Sequence, residues 1–142
     1  MFLKGVNLGG WLVLERWLTK SLFDYYDANS EPVLYKHAFK NPRKLQKHFE
    51  TYINQGDLVY LKEQGINAVR LPISHGIFGN FEPIPATYSY VDNFMEWAQR
   101  HNFRVLLDLH TVPGGQYGWE VGGKQGNFTW HTEKANVNAT LK

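Results

Sequence analysis

Apolar and polar residues recur along this chain in two rhythms, one of strands and one of helices. Leu3 to Leu8 reads as a short buried strand closed by Gly9-Gly10. Ser21 to Tyr26 reads as one helical turn, and the polar stretch from Asn29 to Asn41 as irregular, with Pro32 and Pro42 as breakers. Pro42 suits the first position of a helix, and Leu45, Phe49, Tyr52 and Ile53 then recur at helical spacing. Gly56 interrupts that pattern. Asp57 is placed to cap a second helical segment carrying Leu58 and Leu61 and ended by Gly65. Ile66 to Ile73 predicts a strand, and Val91, Phe94, Met95 and Ala98 predict an amphipathic helix. Phe103 to Leu109 is a nearly continuous apolar run, of the kind buried on both faces in parallel sheets. A long loop from Thr111 to Asn127 carries glycines at 114, 115, 118, 122, 123 and 126, and Trp130 to Lys142 begins a further helix.

This order of strand, helices, strand, helix, strand, loop and helix predicts an α/β fold with a parallel sheet and helical crossovers. Three strands fit an open doubly wound sheet and a closed barrel equally well. No Gly-x-Gly-x-x-Gly follows the first strand, which argues against dinucleotide binding, and no cofactor is called for. There is no internal repeat or low-complexity tract, and 142 residues suit one domain.

The polar residues near the strand ends are more informative. The period of two puts Leu106, Asp108 and His110 on one face of the third strand and Val105, Leu107 and Leu109 on the other. In the second strand Val69 and Leu71 face one way, while Ala68, Arg70 and Pro72 face the other. Two buried strands thus each carry an ionisable group near the C-terminal end, and a buried charge needs a partner or a ligand. In a barrel those ends are where active sites form. Each residue also has a plain structural reading. Arg70 could be an ion-pair partner of Asp108 or Glu15, His110 a satisfied core histidine, Glu15 a surface residue, and Trp119 a cover for the core edge. Asp108-x-His110 has metal-ligand spacing, yet the remaining histidines are scattered over predicted helices and loops, so no metal site is expected.

Composition narrows the partners. Fifteen basic against thirteen acidic residues leave a formal charge of +2, which gives no reason to expect nucleic acid or an acidic membrane. No stretch approaches the ~20 apolar residues of a membrane helix, and the absence of cysteine excludes disulfides and thiolate metal sites. No secretory leader precedes the first strand, so a cytoplasmic location is expected for the chain as written, and a secreted one if the true N-terminus is longer. Five Trp and eight Tyr supply flat apolar faces of the kind on which sugar rings stack.

Three segments in order, Gly5-Val-Asn-Leu-Gly-Gly-Trp-Leu-Val-Leu-Glu15, Gly65-Ile-Asn-Ala-Val-Arg-Leu-Pro-Ile73 and Leu107-Asp-Leu-His-Thr-Val-Pro-Gly-Gly-Gln116, resemble glycoside hydrolase family 5, most closely its exo-β-1,3-glucanase branch. The third usually reads His-Gly-x-Pro-Gly in that family, and Thr111 here replaces the first glycine. The resemblance implies a (β/α)₈ TIM barrel, of which residues 1–142 supply about the first three β/α units of a single domain. It further implies a retaining β-glucosidase in which one Glu protonates the leaving oxygen and a second attacks the anomeric carbon. The family places these glutamates after its fourth and seventh strands, so both positions lie beyond residue 142, and the 142-residue chain alone is expected to be inactive. By the same resemblance, Arg70 would hold the nucleophile carboxylate, and His110 would bind sugar hydroxyls beside the cleaved bond. Glu15 would accept hydroxyls of the terminal glucose, and Trp119 would line the cleft. The implied partner is a β-glucan or gluco-oligosaccharide, with a second chain or a C-terminal continuation completing the barrel. A noncatalytic carbohydrate-binding or scaffold protein derived from the same barrel is the competing reading.

Overall fold

The computed structural model describes residues 2–116 and 128–141. Its elements in chain order are β1 (Gly5–Asn7), α1 (Lys20–Tyr25), α2 (Glu31–Lys40), α3 (Arg43–Thr51), α4 (Gln55–Glu63), β2 (Ala68–Ile73), α5 (Tyr88–Arg100), β3 (Arg104–Leu109) and α6 (Lys134–Thr140). The strands form one sheet in the order β1-β2-β3, and both pairings are parallel. Helices α1 to α4 occupy the β1–β2 connection and α5 the β2–β3 connection, since parallel neighbours need a crossover long enough to return the chain.

The register gives each face its character. Val69 lies across from Val6 and Val105, and Leu71 across from Leu107, so β2 turns Val69, Leu71 and Ile73 toward the helices, where all three are buried. They pack with Trp11, Leu34, Leu58 and Phe94 in the core. The opposite face carries Asn7, Arg70 and Leu106 in one row, with Asp108 one step further along beside Pro72.

Four expectations are corrected. The stretch from Asn29 to Asn41 is not irregular: residues 31–40 form α2, with Pro32 in its first turn. A proline there removes only an N–H that has no partner within the helix, so it opens the helix instead of breaking it. Leu34, Tyr35 and Ala38 then fall at helical spacing and are buried. The third strand is likewise not buried on both faces. Leu106, Leu107 and Leu109 are 63%, 48% and 43% exposed, because β3 is the edge of the described sheet and nothing among the described residues covers its open side. A smaller correction concerns α4. Its cap is Asn54, whose side chain accepts the Gly56 N–H at 2.8 Å, while Asp57 returns a bond to the Asn54 N–H at 2.7 Å. Met95, placed with the buried stripe of α5, is 44% exposed, whereas Val91, Phe94 and Ala98 are buried.

The segment after β1 is held unusually firmly. Gly10 has φ of +74°, which a side chain would strain, and it turns the chain inward so that Trp11 to Leu14 are all buried. Trp11 donates its indole N–H to the Phe49 carbonyl at 2.8 Å. From α3, His48 Nε2 reaches the carbonyls of Gly10 at 2.9 Å and Trp11 at 3.2 Å, so this nitrogen carries the hydrogen. Burial pushes the His48 pKa down, with the two carbonyl contacts opposing in part.

A histidine whose folded pKa lies below its unfolded value stabilises the fold above the unfolded pKa, near 6.5, and loses that contribution as pH falls through the folded pKa. Urea-unfolding free energies measured from pH 8 downward should therefore decline below about pH 6.5. His48→Gln, which keeps a donor but cannot titrate, should flatten the part of this decline that His48 contributes. An identical pH profile in the variant would remove His48 as the cause.

Candidate functional site

Three strands bring their polar residues to one place on the uncovered face of the sheet. Arg70, from the middle strand, donates Nη1 to Asn7 Oδ1 on β1 at 2.9 Å. Its Nη2 lies 2.8 Å from Asp108 Oδ2 on β3 and 3.1 Å from His110 Nδ1 just beyond it. His110 Nδ1 is also 2.8 Å from Asp108 Oδ2. One hydrogen pattern serves these contacts best: Asp108 Oδ2 accepts from both Arg70 and His110 Nδ1–H, which leaves His110 Nε2 as a bare acceptor. The group is only partly buried, with Arg70 and Asp108 side chains 35% and 24% exposed. Its atoms therefore remain within reach of a ligand approaching that face.

Glu15 is placed by the loop that follows β1. The buried Glu31 carboxylate accepts the Leu14 N–H at 2.7 Å and the Tyr35 hydroxyl at 2.7 Å, anchoring the residue immediately before Glu15. Burial first, and the Glu31 charge second, push the Tyr35 pKa well up, so its hydroxyl stays a donor. On the far side, the Glu15 carbonyl accepts the N–H groups of Leu18 and Thr19 at 2.9 and 3.0 Å. A methyl group placed on Gly9 would lie 3.0 Å from both Asn7 Nδ2 and Glu15 Oε1, so this glycine leaves room for both side chains. Asn7 in turn holds Arg70, so Glu15 and the three-strand cluster both border the space over Gly9.

Of the four residues expected at the site, the structure brings Arg70 and His110 into direct contact and sets Glu15 beside their neighbour Asn7. Trp119 lies outside the described residues. The ion pair between Arg70 and Asp108, the plain structural reading of Arg70, is present. Sequence reasoning missed Asn7, Trp17 and Tyr52. Asn7 was legible in principle, since period two puts it on the Arg70 face once the strands are paired. Trp17 is 75% exposed, yet its indole Nε1 donates to Glu15 Oε2 at 3.1 Å, leaving a flat ring open beside a carboxylate. Burial raises the Tyr52 pKa, and the nearby Glu15 charge adds to the shift. A groove of about 810 Å³ lies elsewhere, between Tyr35, Phe39 and Leu45 on one side and Pro83 to Pro85 on the other. It holds none of the three-strand cluster, and the site is assigned on chemistry rather than on volume. Among the described residues no group of three or more His, Asp or Glu is arranged to hold a metal ion.

Parallel strands with crossover helices, and ionisable groups gathered toward the C-terminal ends of the strands, make an α/β scaffold of the kind that places its site at those ends. Residues 26–140 match the cellulase family, glycosyl hydrolase family 5, and the chain belongs to that family. It is 34% identical to a glucan 1,3-β-glucosidase of Blumeria graminis over 98% of its length, covering 34% of that protein. It is 37% identical to a probable glucan 1,3-β-glucosidase A of Emericella nidulans over 89% of its length, covering 33% of that one. The crystal structure of a rutinosidase from Aspergillus niger superposes with a TM-score of 0.88 at 24% identity, over 97% of this chain and 41% of that one. The chain thus spans about a third of the length of these curated relatives.

Arg70→Lys removes the fork that reaches Asn7 and Asp108 at once, because an ammonium is a point charge. The expected loss is about 1–2 kcal/mol of unfolding free energy in urea titration, in the range of a hydrogen bond to a charged group. An unchanged denaturation midpoint would show that the cluster contributes nothing net to the fold.

Proposed function

We propose that these residues form the leading part of a single barrel domain in a retaining β-glucosidase that acts on β-glucans, in the manner of an exo-β-1,3-glucanase. The observation that carries this reading is the cluster of Asn7, Arg70, Asp108 and His110 from three successive strands, in a chain about a third identical to glucan 1,3-β-glucosidases.

In this reading each side chain has a task that its geometry suits. Arg70, already oriented by Asn7 and Asp108, presents its charge to a carboxylate supplied by a later strand and keeps that carboxylate ionised. His110 Nε2 accepts a hydroxyl of the sugar beside the cleaved bond. Glu15 accepts hydroxyls of the terminal glucose, and its tie to the Trp17 indole sets one oxygen while the other lies over Gly9. The acid/base and nucleophile glutamates come from chain beyond these 142 residues, after the fourth and seventh strands, with their carboxyls about 5–5.5 Å apart as retention requires.

The test is hydrolysis of a β-1,3-linked gluco-oligosaccharide by the full-length protein, with the first-formed sugar followed by proton NMR. Initial release of β-glucose from the non-reducing end is expected. Release of α-glucose would overturn retention, and saturable binding without turnover would favour a noncatalytic carbohydrate-binding protein. Residues 1–142 produced alone should give no turnover. Glu15→Gln, which keeps the shape but loses charge-assisted acceptance, should raise KM about 10- to 100-fold, the equivalent of one hydrogen bond to a charged group. An unchanged KM would remove Glu15 from the sugar site.

A further inference from the structure

Thr111 follows His110 directly and is 1% exposed. Its hydroxyl sits at the centre of a polar chain joining the two loops that leave β2 and β3. Thr111 Oγ1 donates to Ser74 Oγ at 3.0 Å, lies 2.9 Å from His75 Nδ1, and accepts the His75 backbone N–H at 3.3 Å. Ser74 is itself buried, and its Oγ accepts the Gly76 N–H at 3.2 Å. With the threonine proton directed at Ser74, His75 Nδ1 carries a hydrogen and donates to Thr111, which requires no charge on the ring. Burial lowers the His75 pKa, in keeping with that neutral form. The ring is also held from outside, edge-on to Phe81 at 4.9 Å.

The consequence falls on His110. Its N–H donates to the Ile73 carbonyl at 2.9 Å, and its own carbonyl accepts Gln116 Nε2 at 2.8 Å. These bonds fix where the His110 backbone sits but leave rotation about the following residue open. Thr111 closes that freedom, since its side chain is tied to β2 loop atoms at three points. A valine of the same shape would fill the space, leave the His75 ring and backbone N–H without their acceptor, and take from Ser74 the hydroxyl donor it accepts. A glycine would lose the bonds and the packing together.

We propose that Thr111, tied to Ser74 and His75, is a positioning residue that sets the His110 imidazole against Asp108 and Arg70 and thereby fixes its grip on a sugar hydroxyl. The last clause rests on the reading of His110 as a sugar-binding group, whereas the positioning itself does not. Thr111→Val, Thr111→Ser, Ser74→Ala and His110→Ala in the full-length protein test it, by KM and kcat on a β-1,3-linked gluco-oligosaccharide and by ring ¹⁵N shifts of His110. Thr111→Val should raise KM roughly tenfold, as for one buried hydrogen bond, and move the His110 ring shifts, with kcat changed less. Thr111→Ser should restore both to within about twofold of the parent. In a His110→Ala background the Thr111→Val effect should vanish, because coupled residues are not additive. Equal losses in both backgrounds, or unmoved His110 shifts, would overturn the proposal. Should Thr111→Val fail to fold, Ser74→Ala opens the same chain from its other end and must move the His110 shifts likewise. A parent protein that neither binds nor cleaves the oligosaccharide sinks the glucosidase reading, while the ring shifts still decide the positioning.

Discussion

Arg70 is the side chain on which the three strands depend together. A guanidinium on the uncovered face of a parallel sheet must find acceptors, and it finds one on each neighbouring strand, Asn7 on β1 and Asp108 on β3. Those acceptors are in reach only in the observed register, with Asn7 across from Arg70 and Asp108 one step past Leu106. A slip of one residue in either strand would send the acceptor to the helix side and bring apolar residues out in its place. The same register buries Val69, Leu71 and Ile73 beneath the helices. The polar pairing on one face and the core on the other therefore specify the same alignment.

This coupling explains what could be read from the sequence. The pleat is a local property, so the faces of β2 and β3 follow from counting residues, and Arg70 and His110 stand out as ionisable groups among apolar ones. Helix α2 was hidden because Pro32 within it and Pro42 just after it read as punctuation, while its buried Leu34, Tyr35 and Ala38 are few. An apolar run states what a strand can bury and not what covers it, so the exposure of Leu106, Leu107 and Leu109 was invisible. The parts of the site that escaped depend on loop closure. Tyr52 comes near Glu15 from just past α3, and Glu31, seventeen positions beyond Leu14, pins the chain just before Glu15 from a helix. No local period encodes that contact.

The exposed leucines and the polar cluster occupy the same strand, and that juxtaposition bears on how the site would work. Asp108 and His110 stand at the end of the strand whose Leu106, Leu107 and Leu109 remain open to solvent. Partial exposure keeps the Arg70–Asp108 attraction weak, since water screens it. Any further strand pairing with β3 would cover the leucines, and in doing so would lower the dielectric around the cluster. Each charge there would then act more strongly on whatever carboxylate or sugar it faces. Apolar burial and electrostatic activation would thus be one event, driven by the hydrophobic surface and felt at Arg70. A preformed polar cluster makes such closure feasible, because Arg70 already has acceptors and enters the drier interior with its hydrogen bonds made.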